Sequence, residues 1–204
     1  MALLALTLVA LLAGCGNEGG SDPVSAPTQS PPPQSTPAST PPTESETDGA
    51  TRRPPAFPQH PRSQTADSGR TSLVLTDVRV VEHERFDRVV LTFSGKGRPG
   101  WSVGYVDTAT LEGSGDEVRL GGDAILDIYA SGTTWPAPDY YDGPRRLRAE
   151  SGGVTEVYVA GTFEGSTQVL AGIDGDRAPF RVFARTGPSR LVVDVRVDGG
   201  DGVE

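Results

Sequence analysis

The chain has 204 residues, with 18 Lys plus Arg against 27 Asp plus Glu, a formal net charge of −9 and one cysteine. That length holds one domain with extensions or two small ones, and the acidic balance argues against duplex nucleic acid, whose binding needs a basic footprint. A single cysteine excludes an intramolecular disulfide, a CxxC redox pair and a Cys-based zinc cluster, and 35% hydrophobic residues is low enough that part of the chain is expected to stay unfolded.

The head of the chain, "MALLALTLVALLA" (1–13), is almost continuously apolar. It is too short for a transmembrane span, which needs about 20 residues, and has the length of a signal peptide's apolar region. Ala13 and Gly14 are small, and Leu12 to Cys15 read "LAGC". This resembles a bacterial lipobox, which implies a diacylglyceryl group on the Cys15 sulfur and cleavage after Gly14. One acyl chain anchors only marginally and two hold stably. Residues 1–14 are thus read as a lipoprotein signal peptide and Cys15 as the lipidated first mature residue. No Lys or Arg precedes the apolar run, so the true translation start is expected upstream of Met1.

Residues 15–70 are read as a disordered Pro/Ser/Thr-rich tether. "APTQSPPPQSTPASTPPTES" has no hydrophobic period, and proline removes donors and fixes φ. "RRPPAFPQHP" (52–61) could serve as a peptide ligand for a partner, and the stalk could carry glycans.

From 71 to 197 the pattern is strand after strand. "LVLTDVRVV" (73–81) places Val74, Thr76, Val78 and Val80 on one face. "RVVLTF" puts Val89, Leu91 and Phe93 inward, and "WSVGYV" groups Trp101, Val103 and Tyr105. "AILDIYA" sets Leu126 and Ile128 against Asp127 and Tyr129. "VTEVYVA", "TQVLAGI" and "FRVFAR" follow, and "RLVVDVRV" aligns Leu191, Val193, Val195 and Val197. A period of two with β-branched enrichment is what half-buried strands require. Gly- and Pro-rich turns separate the runs, and no helical stripe suggests crossover helices. The fold class is therefore all-β, a small β-sandwich, with 198–204 a disordered tail.

The segment 131–153, "SGTTWPAPDYYDGPRRLRAESGG", is long for a compact domain, and such loops are more often functional or disordered than neutral. It carries Trp135, Tyr140, Tyr141, Arg145, Arg146 and Arg148. "GPRRLRAE" could start a short helix at Pro144.

"FDRVVLTFSG" (86–95), "PGWSVGYV" (99–106), "APFRVFA" (178–184) and "PSRLVVDVR" (188–196) resemble the AMIN-like domain of actinobacterial lipoproteins. The resemblance covers about 73–197. It implies a small all-β domain at the cell envelope, related to the AMIN β-sandwiches of wall amidases and outer-membrane secretins, which localise their proteins through peptidoglycan. It carries over no catalytic residue and no ligand map.

Catalytic constellations are not found. A hydrolase needs a nucleophile within reach of a base, and the two histidines are His60 in the tether and His83 in a turn. There is no GxSxG elbow. "DGD" (174–176) lacks the other ligands of a calcium loop, and "GSGDE" and "GGD" lack the strand–loop–helix setting of a phosphate cradle. No enzyme activity, no metal and no cofactor are expected.

The function expected is that of a non-catalytic lipoprotein, anchored on the extracytoplasmic face of the cell membrane, whose β domain binds peptidoglycan. The candidate ligand-binding residues are Trp135, Tyr140, Tyr141, Arg145 and Arg146. Aromatic rings cover apolar sugar faces, and arginine takes stem-peptide carboxylates bidentately. The plainer possibility is that the aromatics cap the sandwich and the arginines are a solvated face. The alternative function is a protein-interaction module, an accessory subunit of an envelope complex that pairs through an edge strand. A small-ligand carrier would need a cavity of several hundred Å³ within the sandwich.

Overall fold

The structure, a computed structural model, describes residues 53–149 and 152–197. Cys15, the signal-peptide segment, most of the tether and the 198–204 tail lie outside the described residues. Among the described residues ten strands run in chain order: β1 (Gln64–Ala66), β2 (Val74–His83), β3 (Phe86–Ser94), β4 (Gly100–Val106), β5 (Ala124–Ser131), β6 (Arg146–Arg148), β7 (Val154–Phe163), β8 (Ser166–Ile173), β9 (Phe180–Arg185) and β10 (Ser189–Arg196). They form two antiparallel sheets, one ordered β1-β4-β5-β8-β7-β6 and the other β2-β3-β10-β9. The all-β sandwich is as the alternation requires.

The core lies between the inner faces. Val89, Leu91 and Phe93 of β3 and Leu191, Val193 and Val195 of β10 meet Leu126 and Ile128 of β5 and Val169, Ala171 and Ile173 of β8, each 0 or 1% exposed. Fully burying one such branched or aromatic side chain contributes about 1.5–3 kcal/mol.

β2 departs from the simple alternation. A bulge between Leu75 and Asp77 leaves Thr76 outside the ladder, and its Oγ1 donates to the Thr92 carbonyl at 3.2 Å. The extra residue switches faces. Leu73 and Leu75 face the core before it and Val78 after it, so Val74, which alternates with them, lies on the face opposite Val78 and Val80, and Thr76 falls outside the alternation.

Two further expectations are corrected. "GPRRLRAE" is not a helix: Arg146, Leu147 and Arg148 pair with Tyr158, Val157 and Glu156 of β7. The Arg-Leu-Arg alternation turns Leu147 toward the core, and a segment this short, between Pro144 and Gly152-Gly153, has no room to repay helix nucleation. Nor is all of 15–70 a free tether. Its described part, from Arg53, is docked on the domain, and Gln64–Ala66 pairs with Trp101–Val103 of β4. The Gln64 side chain also reaches the other sheet. Its Nε2 donates to the Phe180 carbonyl at 2.7 Å, and its Oε1 accepts from the Val182 N–H at 3.2 Å. One glutamine thus bridges the two sheets at the β9 edge.

Residues 53–57 lie on the outer face of the four-stranded sheet. Cross-strand register there aligns Asp194 with Arg88 and Arg181. Phe57 packs on Phe86 and beneath Arg181 and Arg196, and the Pro55 carbonyl accepts from Arg181 at 2.9 Å. The segment considered as a ligand for another protein is, in its described part, seated on its own domain.

Candidate functional site

The chain leaving β5 is fixed by backbone bonds before it reaches the aromatic residues. The Leu73 N–H donates to the Gly132 carbonyl, the Thr134 N–H to the Leu73 carbonyl, the Thr133 N–H to the Gly165 carbonyl and the Tyr141 N–H to the Leu75 carbonyl, all at 2.8–3.0 Å. A loop tied to β2 on one side and to the β7–β8 turn on the other holds its side chains in place.

Hydroxyl groups extend this order inward. The Tyr140 hydroxyl donates to Thr162 Oγ1 at 3.3 Å, Thr162 and Thr167 hydroxyls meet at 2.7 Å, and Thr167 donates to buried Thr133 at 3.0 Å. The buried hydroxyls of Thr133 and Thr167 are thereby paired with each other. The bulge in β7 between Val159 and Gly161 opens the floor beneath Tyr140. Gly161 has φ +114°, a conformation closed to most side chains.

These elements enclose an open cavity of about 300 Å³, walled by Trp135, Tyr140, Tyr141, Asp142 and Arg145 and floored by 159–162 of β7. Trp135 is 60% exposed and meets Tyr140 edge to face, with ring centroids 6.4 Å apart. Tyr140 and Tyr141 are half-buried against the core. The Tyr141 hydroxyl donates to the Pro144 carbonyl at 2.8 Å, and burial, with Asp77 and Asp142 nearby, pushes its pKa up. The Arg145 carbonyl accepts from the Val159 N–H, which anchors its backbone. Arg145 is exposed, and its guanidinium donates to the Tyr158 hydroxyl at 3.4 Å.

Four of the five candidate residues therefore come together: Trp135, Tyr140, Tyr141 and Arg145. Arg146 does not join them. Strand pairing turns it to Glu156 at 3.0 Å, to the Arg119 carbonyl at 3.1 Å and over the Tyr158 ring. Burial pushes the Glu156 carboxyl up, but the Gly121 N–H and Arg146 outweigh it and hold the group below its usual range. Arg146 thus serves a structural ion pair. Asp142 was not among the candidates. Its signal was its place between Tyr141 and Gly143 in a proline-bracketed loop.

Chemically, the cavity offers two tyrosine faces, an exposed indole, one guanidinium and one carboxylate. Among the described residues no group of three or more His, Cys, Asp or Glu could hold a metal ion. His83 is exposed and stacks on Phe86 at 4.4 Å, away from the residues lining this cavity.

Compared with known families, residues 73–197 match the model of the AMIN-like domain. Searches of curated proteins and of solved structures returned no match.

Proposed function

The chain belongs to the AMIN-like domain family, whose members are envelope-related and generally non-catalytic binding domains, and from that premise we propose that it is a non-catalytic lipoprotein that binds peptidoglycan through the Trp135 cavity. The observation that carries the reading is the convergence of an exposed indole, two anchored tyrosines and an arginine that makes no ion pair among the described residues on one open hollow. Aromatic faces accept the apolar faces of glycan rings, as they accept other flat apolar partners. Arg145 takes a stem-peptide carboxylate in a charge-assisted fork. Lipidation of Cys15, argued from "LAGC", holds the domain at the extracytoplasmic face of the cell membrane, with the Pro/Ser/Thr-rich segment as spacer.

The test is co-sedimentation of the chain with purified sacculi. Saturable retention that disappears when the sacculi are first digested by a muramidase is the expected result. Equal recovery in the supernatant with and without sacculi would contradict it and favour an envelope-protein partner.

A further inference from the structure

A second cleft, of about 410 Å³, lies at the edge of the six-stranded sheet away from Trp135, where β1 and β4 approach β9. It shares no lining residue with the Trp135 cavity. Three arginines from three separate segments line it: Arg53 from the docked N-terminal segment, Arg98 from the β3–β4 turn and Arg185, its guanidinium over the Phe183 ring, from the end of β9. Trp101, half-buried on β4, and Phe183 supply aromatic walls. Its one acidic lining residue is Asp67, so basic groups outnumber acidic ones three to one. Among the described residues none of the three arginines makes an ion pair.

This arrangement is unusual for a chain of net charge −9. Like charges gathered in one concave, partly apolar space repel, and the low-dielectric walls strengthen that repulsion and equally the attraction for an anion. Guanidinium matches phosphate and carboxylate in planar, two-point geometry. A half-buried tryptophan beside it suits a flat ring with one apolar face.

We infer that this cleft binds an anionic saccharide, a sugar ring against Trp101 whose phosphate or carboxylate is held by Arg98, Arg185 and Arg53. The site is separate from the peptidoglycan reading and does not depend on it. The segment bearing Arg53 is fastened from outside the cleft: Phe57 packs beneath Arg181 at 4.3 Å, and the Pro55 carbonyl accepts from Arg181. Phe57 is therefore a positioning residue for Arg53.

The full chain is titrated calorimetrically with oligogalacturonate, mannose 6-phosphate, neutral maltotetraose and inorganic phosphate. At least one of the two anionic sugars binds, more weakly as salt rises, and maltotetraose does not. Which anionic sugar binds more tightly identifies the charged group. The double variant Arg98→Gln/Arg185→Gln weakens binding at least tenfold with an unchanged melting temperature, and Phe57→Ala weakens it about threefold or more. Arg53→Gln, at an exposed position, gives the same reading should the double variant fail to fold. The inference is overturned if neither anionic sugar binds or if maltotetraose binds as well as they do. It is equally overturned if inorganic phosphate binds as tightly as the tighter-binding anionic sugar, an adventitious ion only, or if the loss follows Trp135→Ala instead of the arginine variants.

Discussion

Asp194 has no exposed surface, and Arg88 and Arg181 close on it from neighbouring strands at 2.6 and 2.7 Å. The two arginines are themselves mostly buried, 24 and 15% exposed: Arg88 lies over the Phe86 and Phe183 rings, and Arg181 over the Phe57 and Phe86 rings. Removing one partner of such a group leaves uncompensated charge in a place water reaches poorly. Asp194→Asn is therefore expected to destabilise the domain by about 3–5 kcal/mol, read as the shift in a urea unfolding midpoint. A shift under about 1 kcal/mol would show that the arginines find water or other partners.

Asp127, on the outer side of β5, makes a different residue-scale prediction. Burial pushes its carboxyl up to about 6, with bonds from Gln168 and Tyr129 opposing and the Glu112 charge adding to the rise. The folded chain therefore holds this proton at pH values where the unfolded chain, near an ordinary value of about 3.9, has lost it. Its stabilising contribution is full below about pH 4 and is lost as pH rises through about 6. The melting temperature of the wild type is expected to fall relative to Asp127→Asn across that window. Parallel curves for the two proteins would contradict this.

At the scale of elements, the strands that alternate cleanly were legible. Val89, Leu91 and Phe93, and Leu191, Val193 and Val195, all point to the core, because period two reports directly which face meets the opposite sheet. The bulge at Thr76 was not legible, since an inserted residue changes the face without changing composition. Nor was β6, where only pairing with Glu156 and Val157 of β7 makes "RLR" a strand. β1 was hidden for the same reason, because three residues carry no period and its partners lie 35 to 39 positions away, Ala66 opposite Trp101 and Gln64 opposite Val103. Gln64 gives this element a test. Gln64→Ala leaves the Val182 N–H and Phe180 carbonyl without their partner and is expected to cost about 1–3 kcal/mol. Hydrogen exchange at Val182 would accelerate in the variant, and unchanged protection there would contradict the bridging role.

For the whole molecule, the sandwich is a rigid frame that presents one aromatic cavity near β7 and one arginine-lined cleft beside β1, β4 and β9. The first was largely visible in the sequence, because aromatics and arginines crowd one long loop. Arg146 is turned to Glu156 and does not line that cavity, because sequence proximity hides which way a strand turns a side chain. The second was not visible, since Arg53, Arg98 and Arg185 are brought together only by folding. The tyrosines of the first cavity pack on the core, so replacing them would confuse binding with stability. Trp135 and Arg145 are exposed, and surface substitutions away from packing features stay within about 0.5 kcal/mol.

The measurement that tests the central claim most directly is retention on purified sacculi of wild type beside Trp135→Ala and Arg145→Ala, with melting temperatures recorded for each. Retention at least fivefold weaker in both variants, with melting temperatures unchanged, is the predicted result. Wild-type retention in both folded variants would contradict the assignment of peptidoglycan binding to this cavity.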